Sequence, residues 1–345
     1  MSSEPSPFLR ALGFAALAFV AQAFAGLPAD TASAGETGVP ARPFLVYHES
    51  WYERPATHGA ATTLSILPAY MNMVALAFVR PDLVYAGGLD LQGTGLQYQF
   101  TGTVLRDAIA ILKRDHPQTR VLLAIGGATY TNWRRLDAEA VARLVRDLGA
   151  DGVDIDLEPP PPQCAADAAG KVRCLSDGVW LGAVRLLRAA LPRPYLLTVP
   201  GWSVGAYGEG EWRNEPPASP YTGMLLPLLN APEAASIDLV SIMAYDAGPS
   251  FDRWQAFRAY RQVWAGPLAL GVQVRTDAAA EPSITAAEAE QLARRVADEP
   301  RAGMMLYPLL ARPPGAVGPE NPDGRLLARA LCRGLGSDGC EQSLP

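Results

Sequence analysis

From Phe44 onward the chain alternates short apolar, β-favouring runs with longer amphipathic stretches, and it does so eight times. The strand-like runs are Phe44 to His48, Met73 to Val79, Arg120 to Ile125, Gly152 to Leu157, Tyr195 to Val199, Leu239 to Ala244, Leu268 to Val272 and Ala302 to Tyr307. The helix-like runs are Leu64 to Tyr70, Val104 to His116, Ala138 to Leu148, Trp180 to Leu191, Thr222 to Leu229, Trp254 to Trp264, Ala286 to Asp298 and Arg325 to Leu335. This alternation signals parallel βα units. Eight units are the number that closes a (β/α)8 TIM barrel. The competing open, doubly wound sheet needs a Gly-rich phosphate-binding turn after its first strand, and none follows Phe44 to His48. Gly126-Gly127 ends the third run but lacks the further Gly and the acidic partner of a dinucleotide fingerprint.

Around this predicted barrel domain, assigned to residues 43–336, lie three shorter segments. A polar start carrying Arg10 is followed by an apolar run from Ala11 to Ala25 ending in Ala23-Phe24-Ala25. Residues 1–25 therefore read as a secretory signal peptide, and 26–42 as a Gly/Pro/Ala/Thr-rich spacer. The apolar run is shorter than the roughly 20 residues a spanning helix needs. A protein exported to the periplasm or the medium, with no membrane contact after processing, is the expectation. Residues 337–345 read as a C-terminal tail.

Composition narrows the chemistry. The chain of 345 residues carries 29 Lys+Arg against 35 Asp+Glu, a net charge of −6, with no dense basic run, which argues against a nucleic-acid partner. Its three His, at 48, 58 and 116, are too few for a centre built on several imidazoles, so neither metal nor other cofactor is expected. Four Cys in an exported chain suffice for two disulfides. Three connectivities are formally possible, and the local pairs Cys164 with Cys174 and Cys332 with Cys340 are favoured by proximity in sequence.

The segment Asp151-Gly152-Val153-Asp154-Ile155-Asp156-Leu157-Glu158 holds the sharpest chemical signal. The two-residue period of a strand puts Asp154, Asp156 and Glu158 on one face and Val153, Ile155 and Leu157 on the other. In a barrel the apolar face meets the helices, so the carboxyls point inward at the C-terminal mouth. Like charges roughly 6 to 7 Å apart along one strand face raise at least one pKa, keeping a carboxyl protonated for acid catalysis. A salt-bridged structural strand lacks obvious cationic partners, and a divalent-metal site would want further ligands from other strand ends.

This stretch resembles the DGxDxDxE signature of glycoside hydrolase family 18, the chitinases and endo-β-N-acetylglucosaminidases. Three further stretches agree in kind and order. Tyr47 and Trp51 resemble the first-strand aromatic motif, Ala124-Ile125-Gly126-Gly127 the third-strand SxGG motif, and Met243-Ala244-Tyr245-Asp246 the sixth-strand MxYD motif. The resemblance implies substrate-assisted, retaining hydrolysis of β-1,4 bonds beside N-acetylglucosamine. It implies Glu158 as general acid, Asp156 as the group that orients the acetamido N–H, Asp154 sharing a proton with Asp156, and Tyr245 donating to the acetamido oxygen. Tyr47, Trp51, Asp246 and Tyr307 would contact the sugar, and Trp202, in the Gly-rich loop after the fifth strand-like run, is a further subsite or lid candidate from its position alone.

Two departures stand out. Ala124 replaces the serine of SxGG, removing a hydroxyl that would support Asp154, and Tyr307 stands where the family usually has Trp. The interval from Val272 to Ala302 has room for one loop and one helix, so the α+β insertion of some chitinases is expected to be absent. Trp133 and Trp212 also follow strand ends and are plausible stacking platforms, whereas Trp180, Trp254 and Trp264 read as packing. The expected partner is an N-acetylglucosamine-containing glycan, met by a monomer. A chitinase is the reading. The alternatives are an endo-β-N-acetylglucosaminidase on N-glycans or peptidoglycan, and a chitin-binding lectin on the same barrel, which would typically have lost the acid.

Overall fold

A computed structural model of the chain describes residues 38–277, 284–342 and 344. The expected signal peptide and most of the spacer lie outside them. Eight parallel strands close a barrel: β1 (Phe44–Glu49), β2 (Met73–Val79), β3 (Arg120–Gly126), β4 (Gly152–Asp156), β7 (Leu196–Trp202), β8 (Leu239–Met243), β9 (Leu268–Gln273) and β10 (Ala302–Tyr307). Between β4 and β7 an additional antiparallel hairpin, β5 (Ala165–Ala166) with β6 (Val172–Arg173), sits in the loop that leaves β4. The first and last barrel strands pair from Phe44 opposite Met304 to Val46 opposite Leu306.

The helices are α1 (Gly102–Asp115), α2 (Ala138–Leu148), α3 (Asp177–Ala190), α4 (Leu226–Leu229), α5 (Arg253–Val263), α6 (Ala286–Ala297) and α7 (Gly324–Leu335). Each boundary has a local cause. Asp137 accepts from the Ala140 N–H to start α2, which ends on Gly149 at φ 71°, the left-handed position that glycine takes without steric cost. The Thr285–Glu288 capping box starts α6.

The helix expected over Leu64 to Tyr70 does not form. Only a short 3-10 turn, Leu64–Ile66, is present, and Leu67 is already extended at ψ 137°. Pro68 supplies the reason: its ring disfavours helical backbone at the preceding residue and it brings no N–H. The helix expected over Thr222 to Leu229 likewise shrinks to α4, with Pro227 in its first turn. Within the segment expected as a tail, Cys340 is bonded to Cys332 and Leu344 is buried.

Two apolar layers follow from strand periodicity. Val153, Ile155 and Leu157 join the large core between strands and helices. Leu45, Tyr47, Ala75, Ala77, Leu122, Ala124 and Met305 fill the barrel interior. Inward positions on β4 are instead Asp154 and Asp156, both essentially shielded from solvent. Their charge is therefore at the centre of an apolar barrel, just beneath its C-terminal mouth.

Candidate active site

The mouth holds a cavity of about 370 Å³ whose lining includes Asp156, Glu158, Tyr245, Asp246, Tyr47 and Trp51, together with Tyr307, Phe78 and Gln273. The Gly126-Gly127 pair lets the end of β3 approach β4. A Cβ on Gly126 would sit 2.2 Å from the Asp156 carbonyl oxygen, and the Gly127 N–H donates to that oxygen at 2.8 Å. Both glycines have positive φ, 104° and 67°, and at Gly126 the contact leaves no room for any side chain.

Asp154 lies deepest. Tyr47 Oη donates to its Oδ2 at 2.6 Å, and Thr198, its lateral neighbour on β7, donates to Oδ1 through a short hydrogen bond. The hydroxyl missing at Ala124 is thus replaced by hydroxyls from two other strands. Burial lifts the Asp154 pKa from 3.8 to about 6, against the opposing pull of those two bonds. Asp156 is raised well above the usual carboxylate range, first by burial and then by the charges of Glu158 and Asp154. Its Oδ1 is buried without a hydrogen-bond partner, which leaves an acceptor at the cavity wall. Glu158 is pushed up to about 7 by burial, with the Ala128 N–H pulling the other way and Asp246 adding repulsion. The carboxyl nearest solvent can therefore carry a proton at neutral pH.

Aromatic rings surround this strand face. Tyr307 meets Tyr47 edge-on with centroids 5.6 Å apart and lies nearly parallel to Tyr245 at 6.3 Å. Trp51 stacks on Phe78 at 6.0 Å. Burial, followed by the charge of Asp156, holds the Tyr245 hydroxyl well above its ordinary pKa, so it remains a donor. Asp246 has left-handed backbone (φ 52°), and Gln273 Nε2 donates to its Oδ2 at 3.0 Å.

The structure therefore brings Asp154, Asp156, Glu158, Tyr245, Tyr47, Trp51, Asp246 and Tyr307 together. Trp202 is placed beside them and does not line the cavity: its ring stacks on Tyr221 at 3.8 Å and 6°. Tyr221 in turn donates to the Pro159 carbonyl at 3.4 Å, next to Glu158. Trp133 and Trp212 are buried and serve packing, contrary to expectation. Trp133 lies under Gly126, and Trp212 stacks on Tyr207 at 5.8 Å while its Nε1 donates to Gln262. Thr198 and Gln273 were missed because their only signal is lateral register between strands, which a lone sequence does not display.

Both local disulfides, Cys164–Cys174 and Cys332–Cys340, are formed. The first closes the loop holding the β5–β6 hairpin. That hairpin docks on the loop after β7, where Glu209 accepts from the Val172 N–H at 2.8 Å and from Lys171 Nζ at 2.7 Å. Among the described residues no group of His, Cys, Asp and Glu is arranged to hold a metal ion, and no helix is long and apolar enough to cross a membrane.

No protein-family model matches the chain. A stretch of 101 residues, 26% of this chain, is 34% identical to a chitinase of Plasmodium falciparum (isolate 3D7), and the match spans 26% of that protein's length. Among solved structures the fold is similar to a GH18 chitinase from Pseudoalteromonas aurantia, with a TM-score of 0.54 and 18% identity, covering 85% of this chain and 100% of that one. It is also similar to YKL-39, solved in the presence of chitooligosaccharides, with a TM-score of 0.55 and 13% identity over 86% of this chain and 100% of that one. The class defined by fold is the (β/α)8 barrel, which this chain shares with those structures. The chain also resembles glycoside hydrolase family 18 in four ordered motifs; residues of three of them line one cavity, and Gly126 of the fourth packs against the Asp156 backbone beside it.

Proposed function

We propose that this protein is a family 18 glycoside hydrolase that cleaves β-1,4 linkages of N-acetylglucosamine polymers or oligomers, a chitinase, by substrate-assisted retention. The observation that carries the reading is the row of three carboxyls on one strand face, two buried in the barrel and the third at the cavity with its pKa pushed up to about 7. A protonated carboxyl at the mouth above buried acceptors is what general acid catalysis requires.

In this reading Glu158 gives its proton to the glycosidic oxygen as that bond breaks. The carbonyl oxygen of the substrate's own 2-acetamido group attacks the anomeric carbon, and an oxazolinium ion forms. With the proton that the two aspartates share resting on Asp154, the unpaired Oδ1 of Asp156 accepts the acetamido N–H and offsets the developing positive charge. Tyr245 donates to the acetamido oxygen. Glu158, now ionised, takes a proton from the water that opens the ring. Tyr47 and Thr198 keep Asp154 fixed beneath Asp156, so the negative charge below the oxazolinium does not drift. Trp51 and Tyr307 supply apolar faces for sugar rings, and Asp246, oriented by Gln273, accepts from sugar hydroxyls.

Two disulfides support the further reading that the protein works outside the cytoplasm, where a glycan substrate would be met by a monomer. Labelled chitooligosaccharides incubated beside a high-mannose glycopeptide and a peptidoglycan fragment test the assignment. Release of labelled N-acetylglucosamine oligomers from the first alone supports a chitinase. Cleavage of either other glycan transfers the site to the endo-β-N-acetylglucosaminidase reading, and binding without turnover of any would make the protein a lectin.

A further inference from the structure

Glu49 is the last residue of β1 and is fully buried, yet it has no place in the chemistry above. It shares strand parity with Tyr47, and its lateral neighbour on β2 is Ala77 of the barrel interior, so its side chain points inward at the mouth. Its Oε1 accepts from the Leu309 N–H at 3.0 Å and its Oε2 from the Leu310 N–H at 2.9 Å. The partners are 260 and 261 residues away in sequence, on the turn that follows β10.

We propose that Glu49 is a positioning residue for Tyr307: its carboxyl closes the seam between the first and last strands above the point where their ladder ends. The strand pairing stops at Val46 opposite Leu306. Above that level the contacts are the Leu309 N–H, which donates to the Tyr47 carbonyl at 3.1 Å, and the two bonds to Glu49. Tyr307 lies between the end of the ladder and these bonds. Its ring touches Tyr47 and Tyr245, and Tyr47 carries the hydroxyl that holds Asp154.

The chemistry of the site explains why a carboxyl is used. Burial pushes the Glu49 pKa up to about 8 against the pull of the two N–H donors, so the ionised form is held here at a cost. A carboxylate alone among side chains of this length offers two acceptor oxygens on one carbon. Gln offers one, and turns its NH2 toward a donor. Two consecutive backbone N–H groups aimed at one side chain leave the turn little freedom to rotate, and the ring two residues before it is held with it.

The consequence for sugar binding rests on the function proposed above, whereas the positioning does not, and the test separates them. A fluorotyrosine is placed at position 307 alone in the full chain, and 19F spectra are recorded without glycan at pH 9, where Glu49 is ionised. The wild-type background should give one sharp resonance. Glu49→Gln should split or broaden and move it, while a fluorotyrosine at position 70, on the far side of the strand layer, keeps its line. Should Glu49→Gln fail to fold, Glu49→Asp is read in the same way, since it keeps both oxygens but cannot reach both donors. An unchanged line at 307 in a folded variant overturns the proposal, as does an equal disturbance at both labels, which would mark a merely structural role. Chitotriose added to the labelled Glu158→Gln protein forms the second arm. A resonance at 307 that ignores the sugar counts against the glycan reading and leaves the Glu49 result standing. In turnover at pH 9, where Glu49 is ionised, Glu49→Gln should lower kcat/KM roughly tenfold or more, but no more than about twofold further in a Tyr307→Ala background. Full additivity in that cycle also overturns the proposal.

Discussion

Replacing Asp154 by Asn should stabilise the fold at pH 8 and not at pH 4.5. Asp154 is fully buried and its pKa rises from 3.8 in an open chain to about 6 in the folded barrel. Between those values the folded state holds a proton that the unfolded state has released, so stability falls as pH rises through this window. A rise of this size costs about 3 kcal/mol once pH exceeds both values. Asparagine removes the charge. Both neighbours are hydroxyls, Tyr47 and Thr198, and a hydroxyl can turn from donor to acceptor, so the amide is not left unpaired. Allowing for weaker neutral hydrogen bonds, the net gain at pH 8 should be about 1 to 3 kcal/mol. For a barrel of this size that is roughly 2 to 6 °C in Tm. Calorimetry at pH 4.5 and pH 8 on wild type and Asp154→Asn is the assay. Wild-type Tm should drop between the two pH values by more than that of the variant. An equal gain at both, or a loss at pH 8, would refute the claim that this buried charge is held at a cost to the fold.

Glu158→Gln should abolish hydrolysis, with a fall of at least about a hundredfold in kcat, yet keep chitooligosaccharide binding within a few-fold by calorimetric titration, because the amide keeps the shape and loses the transferable proton. Because Glu158 must be protonated and sits at about 7, kcat should decline as pH rises through about 7. A rate still rising at pH 9 would assign the acid to another group. Replacing both Cys164 and Cys174 by Ser frees the loop that leaves Glu158. Glycan affinity should weaken while the loss of stability stays within about 3 kcal/mol, read by titration and thermal melts, and unchanged affinity would detach the hairpin from sugar binding.

Much of this architecture is readable in the residues, for physical reasons that differ from one part to the next. The strands of a parallel barrel are buried on both faces, so their apolar runs stand out, and Met73–Val79 and Ala302–Tyr307 have the same ends in sequence and structure. The carboxylate row needs only the period of a strand to predict its inward aim. Helices are less secure where proline intervenes: Pro68 and Pro227 cut short two expected helices, since the pattern of apolar residues outweighed the missing N–H. What depends on the register between distant strands stays hidden. Thr198 beside Asp154, Glu49 bound to the turn after β10, and Gln273 against Asp246 each need the closed barrel to become neighbours. Trp133 and Trp212 follow strand ends as a platform would, but the space beneath Gly126 and beside Tyr207 takes them into the core.

The central claim is that the substrate's acetamido group attacks while Glu158 supplies the proton, and the configuration of the first product tests it most directly. A chitooligosaccharide cleaved in an NMR tube should show the β anomer at the new reducing end before mutarotation, no covalent sugar on Asp156 or Glu158 by mass spectrometry, and no cleavage where the reacting sugar lacks its acetyl group. An α anomer at first appearance, a trapped glycosyl adduct on either carboxylate, or equal cleavage of deacetylated sugars would contradict the mechanism.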